Sequence, residues 1–456
     1  MAHDHCHCRD YTRSQLLHQA AAQAGKGLPA IETGMPIPAG TGLSRRSFLS
    51  RSAGLALAVY GATKLPLSAL EAGIAQAATP PRVLVSIFFD GGIDSLNVLA
   101  PLNDPTYQSL RPTIGLHLSD NPAPLPFSED SNLFWHPSAA SLRMLHAEDK
   151  VTVFPAIGYA SPNQSHFTSR HFYEIGEVQV GANTGWLGRY IEEVGTDDNP
   201  LQGVSVANEL SPALATPSKP VAAVQAVSNY ELSSYASSDP VETNMFGSFG
   251  NLGGLPSDSP AMTQTRRAIG QTERLREQLA GFGNFTSPVS YPVNNGLSDQ
   301  LAGLAAMLGA GLPVQVATMS AVGGYDTHED EASTLSENLK GTCDTVLAFQ
   351  RDLEARGLDD RVLIEMWSEF GRRPEENGGG TDHGAGGLAF VVGKHAGGTM
   401  IGGFPGLASL DPQENLLHTS DFRSMYCTLL ESWLGVDAGP IIPGADSLTR
   451  YPTLID

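Results

Sequence analysis

Unbroken apolar runs of strand length recur along the chain, and each gives way to a loop of polar residues and glycines. VLVSIFF (83–89), KVTVFPAIG (150–158), PVQVATMSA (313–321), RVLIEMW (361–367) and LAFVVG (388–393) show little of the alternation expected of a sheet with one wet face. Such runs predict strands covered on both faces, as in a parallel sheet between helices. Helical spacing appears between them. Leu335, Leu339, Val346, Phe349 and Leu353 predict a helix over about 332–355, and the second half of SPNQSHFTSRHFYEIGE (161–177) reads as another. A last apolar face, built from Phe422, Met425, Tyr426, Leu429, Leu430, Trp433 and Leu434, predicts a helix with Ser420 as N-cap and Gly435 as stop.

The order strand, loop, helix, strand implies right-handed crossovers and a mostly parallel sheet. The expected fold class is α/β, a three-layer α/β/α sandwich. Between about 196 and 298 the texture changes to Ser, Pro, Asn and Gly, with a polar helix near 262–279. This stretch is expected to be a loop-rich insertion that caps the sheet. No internal repeat is visible.

The first segment changes the picture. SRRSFLS (44–50) carries twin arginines, and a weakly apolar run, AGLALAVYGA (53–62), leads to the small residues AQA (75–77). The pattern predicts a twin-arginine (Tat) export signal over 1–77, cleaved after Ala77, with 78–456 as the mature domain. The apolar run is too short for an ordinary spanning helix, so no stable transmembrane segment is expected after cleavage. Export by this route makes the Tat translocase a transient partner and places the protein in the periplasm, at the cell surface or outside the cell. It carries folded proteins, which favours a bound metal.

The chain has 456 residues and a net charge of −21, and removing 1–77 takes away more basic than acidic side chains. Such a field repels phosphate, so nucleic acid and anionic lipid are disfavoured as partners. An anionic substrate needs local positive charge from a metal or arginine. The HDHCHC tract (3–8) has metal-ligand chemistry but would be lost on cleavage, and Cys343 and Cys427 read as buried thiols, with a disulfide as the alternative.

In an open parallel sheet, ligands lie beyond the carboxyl ends of the strands. Asp90 and Asp94 follow the first run, Ser165 and His166 the second, Asp326 and His328 the third, and Ser368, Glu369 and Arg372 the fourth. Asp382 and His383 precede the fifth, inside GGGTDHGAGG (378–387), whose glycines let the backbone fold tightly enough to aim both side chains inward. Asp90, Asp94, Asp326, His328, Asp382 and His383 are the candidate metal ligands. Carboxylate and imidazole without thiol suit Zn²⁺, Mn²⁺ or Fe, with Ca²⁺ if oxygen dominates. Ser165 stands where a loop turns into a helix, so its hydroxyl is either an ordinary N-cap or a nucleophile near the positive end of the helix dipole. His166 and Arg372 join it as catalytic candidates, with Arg170 and Glu369 as substrate-binding ones.

FFDGGIDSLNVLAPLNDPTYQSLRP, NQSHF, YDTH, VLIEMWSEFGRRPEENGGGTDHGAGG and TSDFR, in that order behind a twin-arginine signal, resemble an exported bacterial family of unknown function, DUF1501. That family is placed by similarity in the alkaline phosphatase and sulfatase superfamily, whose members hydrolyse phosphate or sulfate esters at one or two metals. The resemblance implies an alkaline-phosphatase-like fold, a small anionic ester as substrate, Ser165 as nucleophile and Asp382–His383 as a metal pair. The Asp326-x-His328 spacing is shorter than the superfamily's Asp-x-x-x-His, and His418 alone could serve as a further downstream histidine ligand. The competing class is a non-catalytic exported binding or assembly protein that keeps the fold and a structural metal.

Overall fold

Strand β1 (Val83–Phe88) is buried along its whole length, and the two-residue period of a strand sends its side chains into two separate cores. The computed structural model describes residues 81–225, 239–279, 282 and 285–456, all within one compact unit of the chain. The segment read as an export signal, 1–77, and with it the HDHCHC tract lie outside the described residues.

Val83, Val85 and Ile87 face one core, shared with Leu142 and Leu145 of helix α1 (Ala140–His146), Leu301 and Leu304 of α4 (Gly296–Gly309), and Leu339, Val346 and Phe349 of α5 (Glu331–Arg356). Leu84 and Phe88 face the other, with Phe172 and Tyr173 of α2 (His166–Ile175), Trp186 and Tyr190 of α3 (Trp186–Val194), and Phe422 and Tyr426 of α6 (Phe422–Thr428). Helices therefore cover both faces of one sheet, a three-layer α/β/α arrangement. Each fully buried side chain of this size contributes roughly 1.5–3 kcal/mol against exposure, which is why these runs carry no polar alternation.

The sheet has eight strands: β10 (Ser420–Asp421), β2 (Val151–Gly158), β9 (Gly387–Val392), β6 (Val362–Trp367), β1, β5 (Val316–Ser320), β3 (Gly203–Ser205) and β4 (Ala222–Ala223), in that spatial order. All neighbouring pairs are parallel except those of β9, which runs antiparallel to both β2 and β6. The cause is the connection. A parallel return needs a crossover over a face of the sheet, whereas residues 368–386 stay at one rim as a short hairpin, β7 (Arg372–Glu376) with β8 (Thr381–His383). The insertion at 196–298 is also less separate than the texture implied, because β3 and β4 extend the main sheet.

The last helix starts one residue later than expected. Ser420 is spent in β10 opposite Ile157, and the Asp421 carboxylate caps the helix by accepting from the Arg423 amide. Gly435 does end the following turn, in the left-handed region at φ 74°. Cys343 and Cys427 are buried free thiols. Among the described residues, no helix is long and apolar enough to cross a membrane.

Candidate metal centre

β1, β2, β5 and β6 point the same way, so the loops after them meet at one rim of the sheet. Gly91 and Gly92 organise that rim. Both lie at positive φ, 117° and 75°, and a side chain on either would collide with the Asp326 backbone or the Phe370 ring. Their amides donate to the Glu369 carboxylate, at 3.1 Å each, while their carbonyls accept from the Arg372 guanidinium, which reaches Gly92 O from Nε at 2.8 Å. The SEFGR segment thus grips the DGG loop from both sides of its backbone.

Inside this frame three imidazoles surround one carboxylate oxygen. Asp326 Oδ1 lies 3.4 Å from His166 Nε2, 3.1 Å from His328 Nε2 and 3.2 Å from His383 Nε2. The Nε2 atoms of His328 and His383 are 3.0 Å apart. Each ring's other nitrogen has an acceptor: Glu369 Oε1 at 2.7 Å for His166, Asp382 Oδ1 at 3.3 Å for His328, and the Gln164 carbonyl at 2.9 Å for His383. An acceptor at Nδ1 fixes the proton there and leaves Nε2 with its lone pair, the orientation that metal-binding histidines show. Three Nε2 atoms then crowd one carboxylate oxygen, and that of His166 is buried with Asp326 Oδ1 at 3.4 Å as its nearest partner. Besides the Arg372 guanidinium, which donates to the same oxygen, a proton on an imidazole or a metal ion is what balances such a set. His166, Asp326 and His383 offer ligand atoms all within 4.8 Å of one another, and His328 adjoins them.

The electrostatics set what an ion must displace: without one, His166 carries a proton at neutral pH. Burial opposes charge on His166, but hydrogen bonds to Asp326 and Glu369 outweigh it and push the imidazole up to about 9. Burial also opposes charge on Asp326, yet the three histidines and Arg372 hold its carboxyl well below the usual range. Burial keeps His383 below its ordinary value, with the nearby His166 and Arg372 charges adding to the effect against the pull of Asp326, so its Nε2 stays free to coordinate.

Not every expected residue enters the cluster. Asp94 is wholly buried, takes a two-pronged bond from Arg111 and caps the Leu96 amide, which leaves it no free lone pair to offer an ion. Asp90 is exposed and pairs with Arg170 at 3.6 Å. Asp382 stands behind His328, held also by Asn377 Nδ2 at 3.1 Å, and orients that ring rather than joining the ligand trio. Glu369 and Arg372 are both fully buried and saturated by protein groups, so neither is available to touch substrate. Arg170 is partly exposed, lies over the Phe88 ring at 4.4 Å and pairs with Glu174 at 2.9 Å. Ser165 occupies the N-cap position of α2 but makes no side-chain cap bond, and it is exposed. His418 packs against Gly158 at the start of β10, outside the trio.

Two contributors escaped sequence reasoning. Gln164 holds His383 through its own carbonyl and, through Nε2, bonds the His383 carbonyl at 2.8 Å and Asn415 Oδ1 at 2.7 Å. Phe370 lies under the rings of His166 and His383, 4.9 Å from each. Both sit inside the NQSHF and SEFGR strings, so position was the available signal; residue type was not.

A family model described as a protein of unknown function, DUF1501, matches residues 156–434, and the chain belongs to that family. No curated protein matches the sequence. Among solved structures the chain is similar to a protein of the alkaline phosphatase superfamily from Vibrio parahaemolyticus, at 10% identity over 90% of this chain and 80% of that one, with a TM-score of 0.35. It is similar to the PsFucS1 sulfatase from Pseudoalteromonas, at 11% identity over 85% and 72%, TM-score 0.32. It is also similar to the C-terminal periplasmic domain of EptC from Escherichia coli, solved in complex with Zn, at 9% identity over 84% and 93%, TM-score 0.34. Superpositions this loose carry no weight for the chemistry, which rests on the residues themselves.

Proposed function

We propose that this DUF1501 protein is an exported, metal-dependent hydrolase of phosphate or sulfate esters. The observation that carries the reading is the convergence of three Nε2 atoms, each ring oriented from behind, on the single oxygen of Asp326. His166, Asp326 and His383 would hold a divalent cation, with His328 beside them. Nitrogen-rich donors favour zinc, with iron next; the Asp326 carboxylate admits manganese, and calcium fits least. Bound there, the ion would supply Lewis-acid polarisation of an ester oxygen and favour loss of a proton from the attacking hydroxyl.

The chain's own part follows from placement. The Ser165 hydroxyl is exposed, free of capping duty, adjacent to His166 and at the positive end of α2, where an anion is favoured. Arg170, further along the same helix, is braced by Asp90 and Glu174 and supplies partly exposed positive charge for an anionic group. The substrate class is a small anionic ester, met outside the cytoplasmic membrane after Tat export.

The second reading, an exported binding protein with a structural metal, draws on Glu369 and Arg372 being wholly engaged by protein. Turnover of generic phosphate and sulfate esters, with Zn²⁺ or Mn²⁺ bound, separates the two when Ser165→Ala is assayed alongside. Hydrolysis that disappears in the variant supports the hydrolase. No turnover in either protein with metal fully bound supports the binding protein.

A further inference from the structure

We infer that the centre takes one divalent cation and that Arg372 is a built-in second cation, occupying the place beside Asp326 that a second ion would need. The inference rests on the metal reading above and adds a stoichiometry to it. In a two-metal site the ions stand about 3.5–4 Å apart and share a bridging group. Asp326 is the only carboxylate in the ligand group, so it would be that bridge. Arg372 Nη2 already donates to its Oδ1 at 2.7 Å, and Nη1 lies 3.5 Å from His328 Nε2.

The guanidinium cannot swing away to make room. It is fully buried, and its remaining N–H groups donate to the carbonyls of Gly91, Gly92, Tyr325 and Thr381, at 2.8 Å for Gly92 and Thr381 and 3.1 Å for Tyr325. Leaving those positions would strand four buried acceptors and a buried charge.

Ligands for a second ion are missing as well. Glu369 is filled by the Gly91 and Gly92 amides, the Ser368 hydroxyl and His166. Asp94 is closed by Arg111, Asp90 pairs with Arg170, and Asp382 Oδ1 accepts from His328 and Asn377. Among the described residues, one group alone has the spacing to hold an ion. Arg372 therefore acts as a positioning residue: it fixes Asp326 and offsets its charge.

The test is an equilibrium Mn²⁺ titration of metal-depleted protein, read by electron paramagnetic resonance and by elemental analysis after removal of free ion. Wild type is expected to saturate at one ion per chain with no spin-coupled pair signal, and Arg372→Lys, which keeps a charge, at one as well. Arg372→Ala frees Asp326 and the carbonyls of Gly91, Gly92, Tyr325 and Thr381 that the guanidinium fills, which supplies oxygen ligands absent in wild type, so a second, weaker equivalent is expected. Two ions in wild type would leave the metal reading standing and overturn this inference; none at all would overturn both. Unchanged stoichiometry and affinity in a folded Arg372→Ala protein would remove the role given to the arginine. Should that variant not fold, the wild-type and Arg372→Lys counts decide.

Discussion

Two carboxylate clusters lie under the same rim, and they have opposite chemistry. In one, Asp94 and Glu331 share the buried Arg111 with Asn97, Tyr107 and Thr381. Burial disfavours charge on both acids. Arg111 wins at Asp94, which stays ionised, while burial and the Asp94 charge together push Glu331 up, so that it keeps its proton. Every donor there meets an acceptor and the cluster is closed. In the other, Asp326 faces three imidazoles whose Nδ1 atoms are all engaged elsewhere, so each Nε2 is turned toward it. An arginine stands at both carboxylates, but Arg111 takes both oxygens of Asp94 whereas Arg372 takes only Oδ1 of Asp326, which leaves Asp326 the better candidate ligand. Glu365 shows a third outcome. Buried in mid-sheet with Ser86 Oγ at 2.6 Å as its partner, it is pushed by burial up to about 8 and stays neutral by keeping a proton.

The contrast is broken most strongly at Asp94. Asp94→Asn breaks the buried two-pronged pair with Arg111 and leaves only Glu331, which must be ionised against its own burial, to balance that charge, so stability in urea unfolding should fall by up to about 3–5 kcal/mol while metal content per folded chain stays unchanged. A fall in metal content would mean the two clusters are not separate. Glu369→Gln acts on the other side. It keeps shape but removes the charge behind His166, and metal affinity measured by competition with a chelator should drop about 10–100-fold. An affinity equal to wild type would show that Glu369 does not orient the ring.

Glu365 gives a pH signature. Its folded value, about 8, lies above its ordinary 4.5. Below 4.5 the acid is neutral in both states and its contribution is intact. Between 4.5 and 8 the unfolded chain releases a proton that the folded one retains, so stability falls by up to roughly 1.4 kcal/mol per pH unit, and the loss stops above the folded value. Glu365→Gln should abolish that slope, so the difference between the two stability profiles should change across this window; parallel profiles would contradict a neutral buried acid. The smallest effect is expected at Ser165. With no cap bond to lose, Ser165→Ala should shift stability by less than about 0.5 kcal/mol, whereas a loss near 1 kcal/mol would restore it to capping duty.

How far the sequence could be read follows the same division. Apolar runs announced the central strands because burial on both faces needs unbroken hydrophobicity, and helix α5 was plain from its spacing. The direction of β9 was not legible. Run length says that a strand exists, whereas its sense came from the rim hairpin between Arg372 and His383. Edge strands of two or three residues, β3 and β4, carry too little pattern to stand out in a Ser- and Gly-rich stretch. At the site, the strand-end rule named Asp326, His328, His166 and His383, which lie side by side in the structure, yet it treated Asp94 as their equal. Nothing near Asp94 in sequence reveals Arg111, which reaches it only because the chain folds back. Ser420 was misjudged as a cap because its pairing with Ile157 in β10 is a long-range fact.

The centre itself is tested most directly by zinc K-edge X-ray absorption on the zinc-loaded protein, with the His383→Ala variant beside it. The predicted spectrum shows nitrogen and oxygen neighbours at about 2.0–2.1 Å, outer-shell scattering from at least two imidazoles, no sulfur, and one imidazole fewer in the variant. A sulfur-containing shell, an oxygen-only shell, or identical spectra from the two proteins would contradict a metal held by His166, Asp326 and His383.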